Sequence, residues 1–275
     1  MTTVAGDEAL FLSDVHLGSG LPAENLAREE FLGSFLARRA ARARRLFLLG
    51  DLFDFWFSYA HAIPRQHLHT VRRIGALIDG GVEVTSFGGN HDFWAGAFLR
   101  DELGAIVHDE PSLIDVGGRR LALMHGDGQA RGDAGYKLLK QVLRSRWAIG
   151  AYRAIHPDLG IPFAHAVSRL SRHSRDESDV DREWLYRQLA LPRFAGGADA
   201  VLTGHYHHPT HFRREGRDFL ILGDWIGNFT FASLNEGRFA LERWTGESAE
   251  MLSPPAGDYP AAGANGSNRE FGIGS

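Results

Sequence analysis

The chain of 275 residues contains no cysteine, which excludes disulfide bonds, thiolate zinc sites and cysteine nucleophiles. It also lacks a basic surplus: its formal net charge is −4, whereas a general nucleic-acid-binding protein is normally positive, so we expect no nucleic-acid partner. No stretch approaches the roughly 18 apolar residues that cross a bilayer. The N-terminal MTTVAGDEAL lacks the basic start and apolar run of a signal peptide. These absences predict a cytoplasmic protein.

Composition and pattern indicate one α/β domain. Hydrophobic residues make up 44% and charged residues 23% of the chain, as in ordinary globular proteins, and the length suffices for a large core. In the first half, apolar runs predict strands at 9–14, 45–51 and 82–90, and helically spaced apolar residues predict helices at 24–42 and 67–80. Strands that alternate with helices indicate βαβ units and a largely parallel sheet.

The second half is predicted to contain a helical insert. Residues 112–127 have the pattern of a hairpin that turns at a Gly-Gly pair, whereas about 128–190 has the pattern of successive helices rich in basic side chains. Strands are predicted to resume at 198–205, 217–224 and 237–244. We therefore predict a single domain over residues 1–250. Residues 251–275, which are rich in proline, glycine and polar side chains, are predicted to be a disordered tail.

Polar side chains of the same few kinds follow five successive predicted strands: Asp14 and His16; Asp51 and Asp54; Asn90, His91 and Asp92; His125 and Asp127; His205 and His207. The carboxyl ends of strands form the ligand crevice of open α/β sheets, so we expect these side chains to converge. Any one group alone is more typical of a turn or a surface pair, but five at consecutive strand ends indicate a shared site. Imidazole, carboxylate and amide ligands suit Mn²⁺, Fe²⁺ or Zn²⁺, and seven of them fit two ions that share a bridging carboxylate.

The segments that carry these residues resemble a known family. SDVHLG, GDLFDFW, GGNHDFW, HGD and GHYHH resemble, in order, the five motifs of the calcineurin-like metallophosphoesterases, over about residues 9–245. The resemblance implies an α/β (α+β) fold in which a two-sheet β-sandwich is flanked by helices. It also implies two ligand sets that share one aspartate: Asp14, His16, Asp51 and His207 for one ion, and Asp51, Asn90, His125 and His205 for the other. We expect Mn²⁺ at both positions, although ligand type alone does not rank it above Fe²⁺ or Zn²⁺.

The resemblance predicts a dinuclear metal-dependent hydrolase of phosphoric diesters or pyrophosphates. Two cations about 3.5–4 Å apart polarise phosphoryl oxygens, acidify water and stabilise an in-line displacement. The cations do not supply the proton that the leaving oxygen needs. His91, next to the predicted ligand Asn90, is the predicted catalytic acid. Asp92 is the second predicted catalytic residue, either because it orients the imidazole of His91 or because it holds the turn.

The insert resembles a narrower group. HGDGQARGDAGYKLLKQVLRSRW and HPDLGIPFAHAVSRLSRHSR, together with GDLFDFWF, resemble the UDP-2,3-diacylglucosamine diphosphatases of lipid A (lipopolysaccharide) biosynthesis. Those enzymes split a nucleotide-sugar lipid into UMP and 2,3-diacylglucosamine 1-phosphate, and the resemblance implies that the insert forms a lid. The implied substrate contacts are Asn90, His91, Asp133, Tyr136, Arg172, Ser174, Arg175 and His205. The basic insert is also compatible with peripheral contact on the cytoplasmic face of the inner membrane.

Alternatives stay open at this point. In the proteobacterial branch of these diphosphatases an arginine stands where this chain has His91, and histidine is the general metallophosphoesterase pattern. The sequence is therefore also compatible with another phosphodiesterase or nucleotide-sugar pyrophosphatase of the same family. A non-catalytic metal-binding scaffold is disfavoured, because every expected ligand is present. A set of apolar insert residues either lines an acyl-chain groove or packs its helix on the body: Leu138, Leu139, Val142, Leu143 and Trp147.

Overall fold

The computed structural model describes residues 7–59, 61–128, 142, 145–173 and 181–253. The strands of this part of the chain are β1 (Ala9–Leu12), β2 (Arg45–Leu48), β3 (Glu83–Phe87), β4 (Ile106–His108), β5 (Ser112–Val116), β6 (Arg119–Met124), β7 (Ala200–Thr203), β8 (Thr210–Arg214), β9 (Arg217–Ile221), β10 (Thr230–Asn235), β11 (Arg238–Trp244) and β12 (Ala249–Ser253). They form a seven-stranded sheet in the order β12-β11-β10-β1-β2-β3-β4 and a five-stranded sheet in the order β5-β6-β7-β9-β8. Strands β1 to β4 pair in parallel, and so do β6, β7 and β9.

Helices cover the outer faces of both sheets. Their bounds are α1 (Pro22–Arg38), α2 (Leu68–Asp79), α3 (Gly96–Asp101), α4 (Arg146–Arg153), α5 (Pro157–His173), α6 (Arg182–Leu185) and α7 (Leu191–Ala195), and a π-helical stretch over Tyr186–Ala190 joins the last two. The proline that begins α1 has its φ fixed in the range of a first helical turn. Helix α2 ends at Asp79, because Gly80 follows and Gly81 adopts a positive φ of 91°.

The core has three layers of apolar side chains that follow the alternation of the strands. On β1, Ala9 and Phe11 face the space between the sheets, where Phe11 stacks on Phe47 at 4.7 Å, whereas Leu10 and Leu12 face helices α1 and α2. The strands of the second sheet divide in the same way: Leu121 and Leu123 of β6 face inward, and Ala122 and Met124 pack under α6 and α7. Strands buried on both faces read as continuous apolar runs, which explains why these segments were recognisable in the sequence.

The predicted two-sheet sandwich flanked by helices is confirmed, and so are the strands and helices predicted in the first half, each slightly shorter than its pattern. The prediction for residues 251–253 is wrong: they belong to β12, which pairs with β11, so the proposed tail begins no earlier than residue 254 and lies outside the described residues. None of the described helices combines the length and the apolar character that a bilayer span requires.

The described part of the insert is anchored beside the segment that follows β2. Ser145 caps the start of helix α4, and its side chain accepts a hydrogen bond from the backbone N–H of Ala148 at 3.2 Å. The hydroxyl of Tyr152 donates to the carbonyl oxygen of Gly160 at 2.6 Å and thereby joins α4 to α5. The Tyr152 ring also lies 4.7 Å from the ring of Phe57. The two helices are therefore fastened to one edge of the body.

Candidate metal centre

The predicted ligands lie on loops at the carboxyl ends of parallel strands. Asp14 and His16 follow β1, Asp51 follows β2, Asn90 follows β3, His125 follows β6, and His205 and His207 follow β7. Because β1, β2 and β3 are parallel neighbours in one sheet, and β6 and β7 in the other, the loops of each sheet emerge at one edge. The packing of the two sheets brings both sets of loops together, as the strand-end pattern predicted.

A first group of ligand atoms surrounds the side chains that follow β1. Asp14 Oδ1 lies 3.3 Å from His207 Nε2, and His16 Nε2 lies at the same distance from His207 Nε2. His16 Nε2 is 3.8 Å from Asp51 Oδ2, which connects this group to the next loop. Asp14, His16 and His207 each offer an atom within 4.8 Å of the others, a spacing that one ion can span.

A second group forms around His125 and uses the same oxygen of Asp51. His125 Nε2 lies 3.2 Å from Asp51 Oδ2 and 3.2 Å from Asn90 Oδ1, and its ring centre is 5.2 Å from that of His205. The opposite nitrogen of His125, Nδ1, is 2.8 Å from the carbonyl oxygen of Leu49. A carbonyl oxygen only accepts, so Nδ1 carries a proton, and loss of the second proton would leave the lone pair of Nε2 directed at the group. Asp51 is thus common to both groups.

The backbone holds several ligands in a strained conformation. Asp14, His16, Asp51, His205 and His207 all have φ between 50° and 70°, the left-handed region that residues with a side chain seldom adopt. Such a residue costs roughly 1–2 kcal/mol, and conformations of this kind cluster at functional sites. Hydrogen bonds between the loops keep them in place: His16 N–H donates to the Asp51 carbonyl at 2.9 Å, and His205 N–H donates to Asp14 Oδ2 at 2.8 Å.

The donor set fits divalent cations. Nε2 of His125 faces two acceptors, the side-chain oxygens of Asp51 and Asn90, and this contact is favourable only when a proton on Nε2 or a cation lies between these atoms. Oδ1 of Asp14 is buried and makes no hydrogen bond within the described part of the chain, which is costly unless a positive charge compensates. Asp51 is 1% exposed and Asp14 is fully buried, so bulk solvent does not supply that compensation.

The pKa shifts of the ligands have the same origin. Burial alone would lower the pKa of His125, but the adjacent Asp51 carboxylate outweighs it and raises this pKa to about 10. Burial, together with the neighbouring His125, lowers the pKa of His205 to about 4, so this imidazole is neutral and able to bind a metal. Although burial opposes it, interaction with His16 and His207 holds the pKa of Asp14 well below its usual range. The centre is therefore built to hold positive charge.

The family model of the calcineurin-like phosphoesterases matches residues 9–209, which include every predicted ligand of both groups. The chain belongs to this family. The predicted membership is confirmed, and it implies divalent metal ions at the centre.

Several curated relatives are named UDP-2,3-diacylglucosamine hydrolase, and the following three are among them. The protein from Porphyromonas gingivalis is 32% identical over 251 residues, which are 84% of this chain and 95% of that protein. The protein from Pseudomonas aeruginosa is 31% identical over 231 residues, covering 78% of this chain and 90% of its own length. The protein from Ralstonia nicotianae is 28% identical over 232 residues, with coverage of 78% and 82%. The similarity therefore spans most of each protein.

His91 lies beside both groups of this family's metal centre. Its backbone N–H donates to Asp51 Oδ1 at 2.9 Å, and its ring centre is 4.9 Å from that of His16. Nδ1 of His91 is 3.0 Å from the backbone carbonyl oxygen of Asp54 and 3.8 Å from Oδ1 of the Asp54 side chain. Nδ1 therefore carries the proton of the neutral ring, and Nε2 is the nitrogen that can gain and release a second proton.

Of the two roles predicted for Asp92, its described contacts support the one in which it holds the turn. Its carboxylate accepts hydrogen bonds from four backbone N–H groups, those of Gly89, Asp51, Leu52 and Phe53, at 2.7 to 3.2 Å. Burial and the charge of Asp51 raise the pKa of Asp92 to about 6, against the effect of these donors. Asp92 therefore holds the loop after β3 against the loop after β2, which is the alternative role that the sequence left open, and Asp54 takes the position beside His91.

The remaining predicted residues are only partly described. Asp133, Tyr136, Ser174 and Arg175 lie outside the described residues, as do Leu138, Leu139 and Leu143, and for Arg172 only its place on α5 is described. Val142 is 53% exposed and Trp147 is 90% exposed, so Trp147 in particular is not part of the core. Asp127 is buried, and a narrow cleft lies beside it and His125.

Two residues at the centre were missed as functional candidates. Asp54 was noted at a strand end but received no role, and His165 was not singled out at all. His165 lies on α5, and its Nδ1 is 3.1 Å from Asp54 Oδ2. The one sequence signal for His165 was its position in the amphipathic pattern of the insert. That pattern does not distinguish a site residue from a residue that packs in the core.

Proposed function

We propose that this protein cleaves the pyrophosphate of UDP-2,3-diacylglucosamine to UMP and 2,3-diacylglucosamine 1-phosphate, a step of lipid A biosynthesis. The observation that carries the proposal is the carboxylate of Asp51, whose Oδ2 lies 3.2 Å from His125 Nε2 and 3.8 Å from His16 Nε2. One oxygen shared between two groups of nitrogen and oxygen ligands is the arrangement that a pair of cations requires. The relatives named for this substrate supply the substrate class.

The metal ligands follow from the two groups. Asp14, His16, Asp51 and His207 would hold one ion, and Asp51, Asn90, His125 and His205 the other. When bound, two divalent ions supply polarisation of the phosphoryl oxygens and acidification of water. Imidazole and carboxylate ligands suit Mn²⁺, Fe²⁺ and Zn²⁺. We propose Mn²⁺ as the ion to test first, with Fe²⁺ and Zn²⁺ as the alternatives.

His91 would move the proton that the leaving oxygen needs. The Asp54 carbonyl keeps its Nδ1–H in place, so the ring presents Nε2 in a constant orientation. An imidazole held in this way can both donate a hydrogen bond and transfer a proton, whereas arginine at this position could only donate. Asp92 would contribute indirectly, because it fixes the loop that carries Asn90 and His91.

The insert would supply the contacts that select the substrate. Asp133, Tyr136, Arg172, Ser174 and Arg175 are its proposed substrate-binding residues, together with Asn90, His91 and His205 at the metal centre. Three exposed apolar side chains support a role in contact with acyl chains. Trp147 of α4 is 90% exposed, and Leu159 and Phe163 of α5 are 69% and 64% exposed. Large apolar side chains exposed together mark a surface that binds lipid or protein.

A peripheral contact with the cytoplasmic face of the inner membrane is part of the same proposal. Arg146 and Arg153 lie on α4 with the exposed Trp147. Basic side chains beside an exposed aromatic ring are typical of helices that lie on an anionic bilayer. Such a contact would bring the metal centre to a substrate that resides in the membrane, with the insert as a lid over it.

The test is incubation of the Mn²⁺-loaded protein with three compounds: UDP-2,3-diacylglucosamine, UDP-N-acetylglucosamine and a simple aryl phosphodiester. Release of UMP from the acylated compound, at a rate far above hydrolysis of the other two, is the expected result. Equal hydrolysis of both UDP-sugars, or of the aryl diester alone, would favour another pyrophosphatase or phosphodiesterase of the family. No hydrolysis of any compound by the metal-loaded protein would reject the proposed enzyme.

A further inference from the structure

A side chain of helix α5, His165, contacts a residue beside the metal centre. Nδ1 of His165 lies 3.1 Å from Oδ2 of Asp54, and the two side chains are 17% and 1% exposed. The other oxygen of Asp54, Oδ1, lies 3.8 Å from Nδ1 of His16 and 3.8 Å from Nδ1 of His91. A single buried carboxylate therefore stands between the insert on one side and a metal ligand and the proposed acid on the other.

The hydrogen-bond pattern defines which way the His165 proton points. The amide nitrogen of Gln66 lies 3.2 Å from Nε2 of His165 and 3.1 Å from Nε2 of His67. An amide nitrogen only donates, so both rings accept at Nε2. His165 must then carry its proton on Nδ1 and donate it to Asp54, which gives a charge-assisted hydrogen bond between the insert and the centre.

The space around the His165 ring is shaped for it. A Cβ atom added to Gly18 would lie 3.2 Å from Cε1 of His165, and Gly18 has a φ of 101° that a side chain would rarely adopt. The ring of Phe55 packs against His165 edge to face, at 6.1 Å between ring centres. Gly18 lies two residues after His16, and Phe55 directly follows Asp54. The imidazole thus fits between the loop that follows β1 and the loop that follows β2.

We propose that His165 is a positioning residue that fastens helix α5 of the insert to the metal centre through Asp54. The acylated substrate used to test this proposal is chosen on the basis of the proposed function. The attachment of α5 by His165 does not depend on that function. If the bond to Asp54 is lost, α5 loses its attachment beside the centre, whereas Asp54 keeps its contacts with His16 and His91. A substrate that needs the insert should then bind more weakly, and a small diester that does not need it should be hydrolysed as before.

Three variants of the full chain test this. His165→Phe keeps a ring of similar shape but removes the donor, and His165→Asn keeps a donor near the position of Nδ1. His156→Phe is the matched control, because His156 lies on the same insert but is 70% exposed and pairs only with the neighbouring Asp158 among its described contacts. Each protein is examined for metal content, for amide hydrogen exchange of α5, and for kcat and KM with UDP-2,3-diacylglucosamine and an aryl phosphodiester.

We expect His165→Phe to bind the same amount of metal and to exchange the amides of α5 about ten-fold faster, since a hydrogen bond to a charged group contributes on this order. KM for the acylated substrate should rise by about the same factor, with hydrolysis of the aryl diester within about two-fold of wild type. His165→Asn should recover part of both losses, and His156→Phe should behave as wild type.

Unchanged exchange of α5 in His165→Phe, or an equal change in His156→Phe, would overturn the proposal. Loss of metal in His165→Phe would also overturn it, because the side chain would then support the ligands and not the insert. If wild type fails to hydrolyse the acylated compound, the proposed function is wrong, but the exchange of α5 still decides whether His165 fastens the helix.

Discussion

Replacement of His91 by asparagine tests whether this residue transfers a proton, because asparagine can keep the hydrogen bond of the side chain but cannot act as an acid. The amide nitrogen of asparagine can occupy the position of Nδ1, which is 3.0 Å from the Asp54 carbonyl oxygen, but it has no second nitrogen that titrates. The backbone N–H of residue 91 keeps its bond to Asp51 Oδ1 at 2.9 Å, so we expect the metal ligands to stay in place. The variant should therefore bind metal normally and turn over slowly.

The expected loss is that of a general acid, a decrease in kcat of about 10²- to 10⁴-fold, or about 3–5 kcal/mol of transition-state free energy. The assay compares UDP-2,3-diacylglucosamine, whose leaving phosphate oxygen gains from protonation, with a p-nitrophenyl diester, whose leaving group needs little. The decrease should be much smaller for the p-nitrophenyl diester. The exposed His156 provides the control, since His156→Asn alters a histidine of the insert outside the metal centre.

Two results would refute this reasoning. Rates close to wild type for His91→Asn with the UDP-sugar would show that this residue transfers no proton in the rate-limiting step. An equal decrease for both substrates, accompanied by loss of metal, would show that the residue supports the ligands and is not an acid.

The two further predictions concern the glycine turn and a buried histidine. A Cβ at Gly89 would overlap the carboxylate of Asp51, so Gly89→Ala should weaken metal binding by at least about ten-fold, or 1.4 kcal/mol; Gly150→Ala, where the added Cβ meets open space, is the control in a metal titration. Burial lowers the pKa of His67 to about 3 from an unfolded value of about 6.5, so its contribution to stability is complete above pH 6.5 and is lost as pH falls toward 3. We expect the free energy of unfolding of the metal-free protein, measured with denaturant, to fall between pH 7 and about 4.5. In His67→Phe this fall should be smaller by roughly 2–3 kcal/mol. An equal fall in both proteins would contradict this assignment.

The candidate site was largely predictable from the sequence because its residues lie just after the ends of buried strands. Strands such as β1 and β2 are buried on both faces, so the first acidic side chains after them, Asp14 and Asp51, stand out, and parallel pairing brings such ends to one edge. The side-chain partners were less predictable. Asp92 bonds to backbone groups about 40 residues away in the chain, and its adjacency to His91 could not predict these partners.

The strands that the sequence did not reveal are those with weak patterns. Strand β4 has three residues, all at least partly exposed, and β8 is only partly buried along most of its length, so neither forms an apolar run. Strand β10 is buried but contains Thr230, Ala232 and Ser233, and its antiparallel pairing with β1 joins opposite ends of the chain. The contact of His165 with Asp54 also spans 111 residues, and only the docking of the insert creates it.

Metal content after equilibrium dialysis is the most direct test of the shared aspartate. Wild type should bind two Mn²⁺ ions per chain, and Asp51→Ala should lose both together with activity, because Oδ2 of Asp51 faces His16 and His125 at once. Asp115→Ala, a change at an 82% exposed aspartate of β5, should keep both ions. A wild-type protein that binds a single ion, or an Asp51→Ala variant that still binds two, would contradict the central claim.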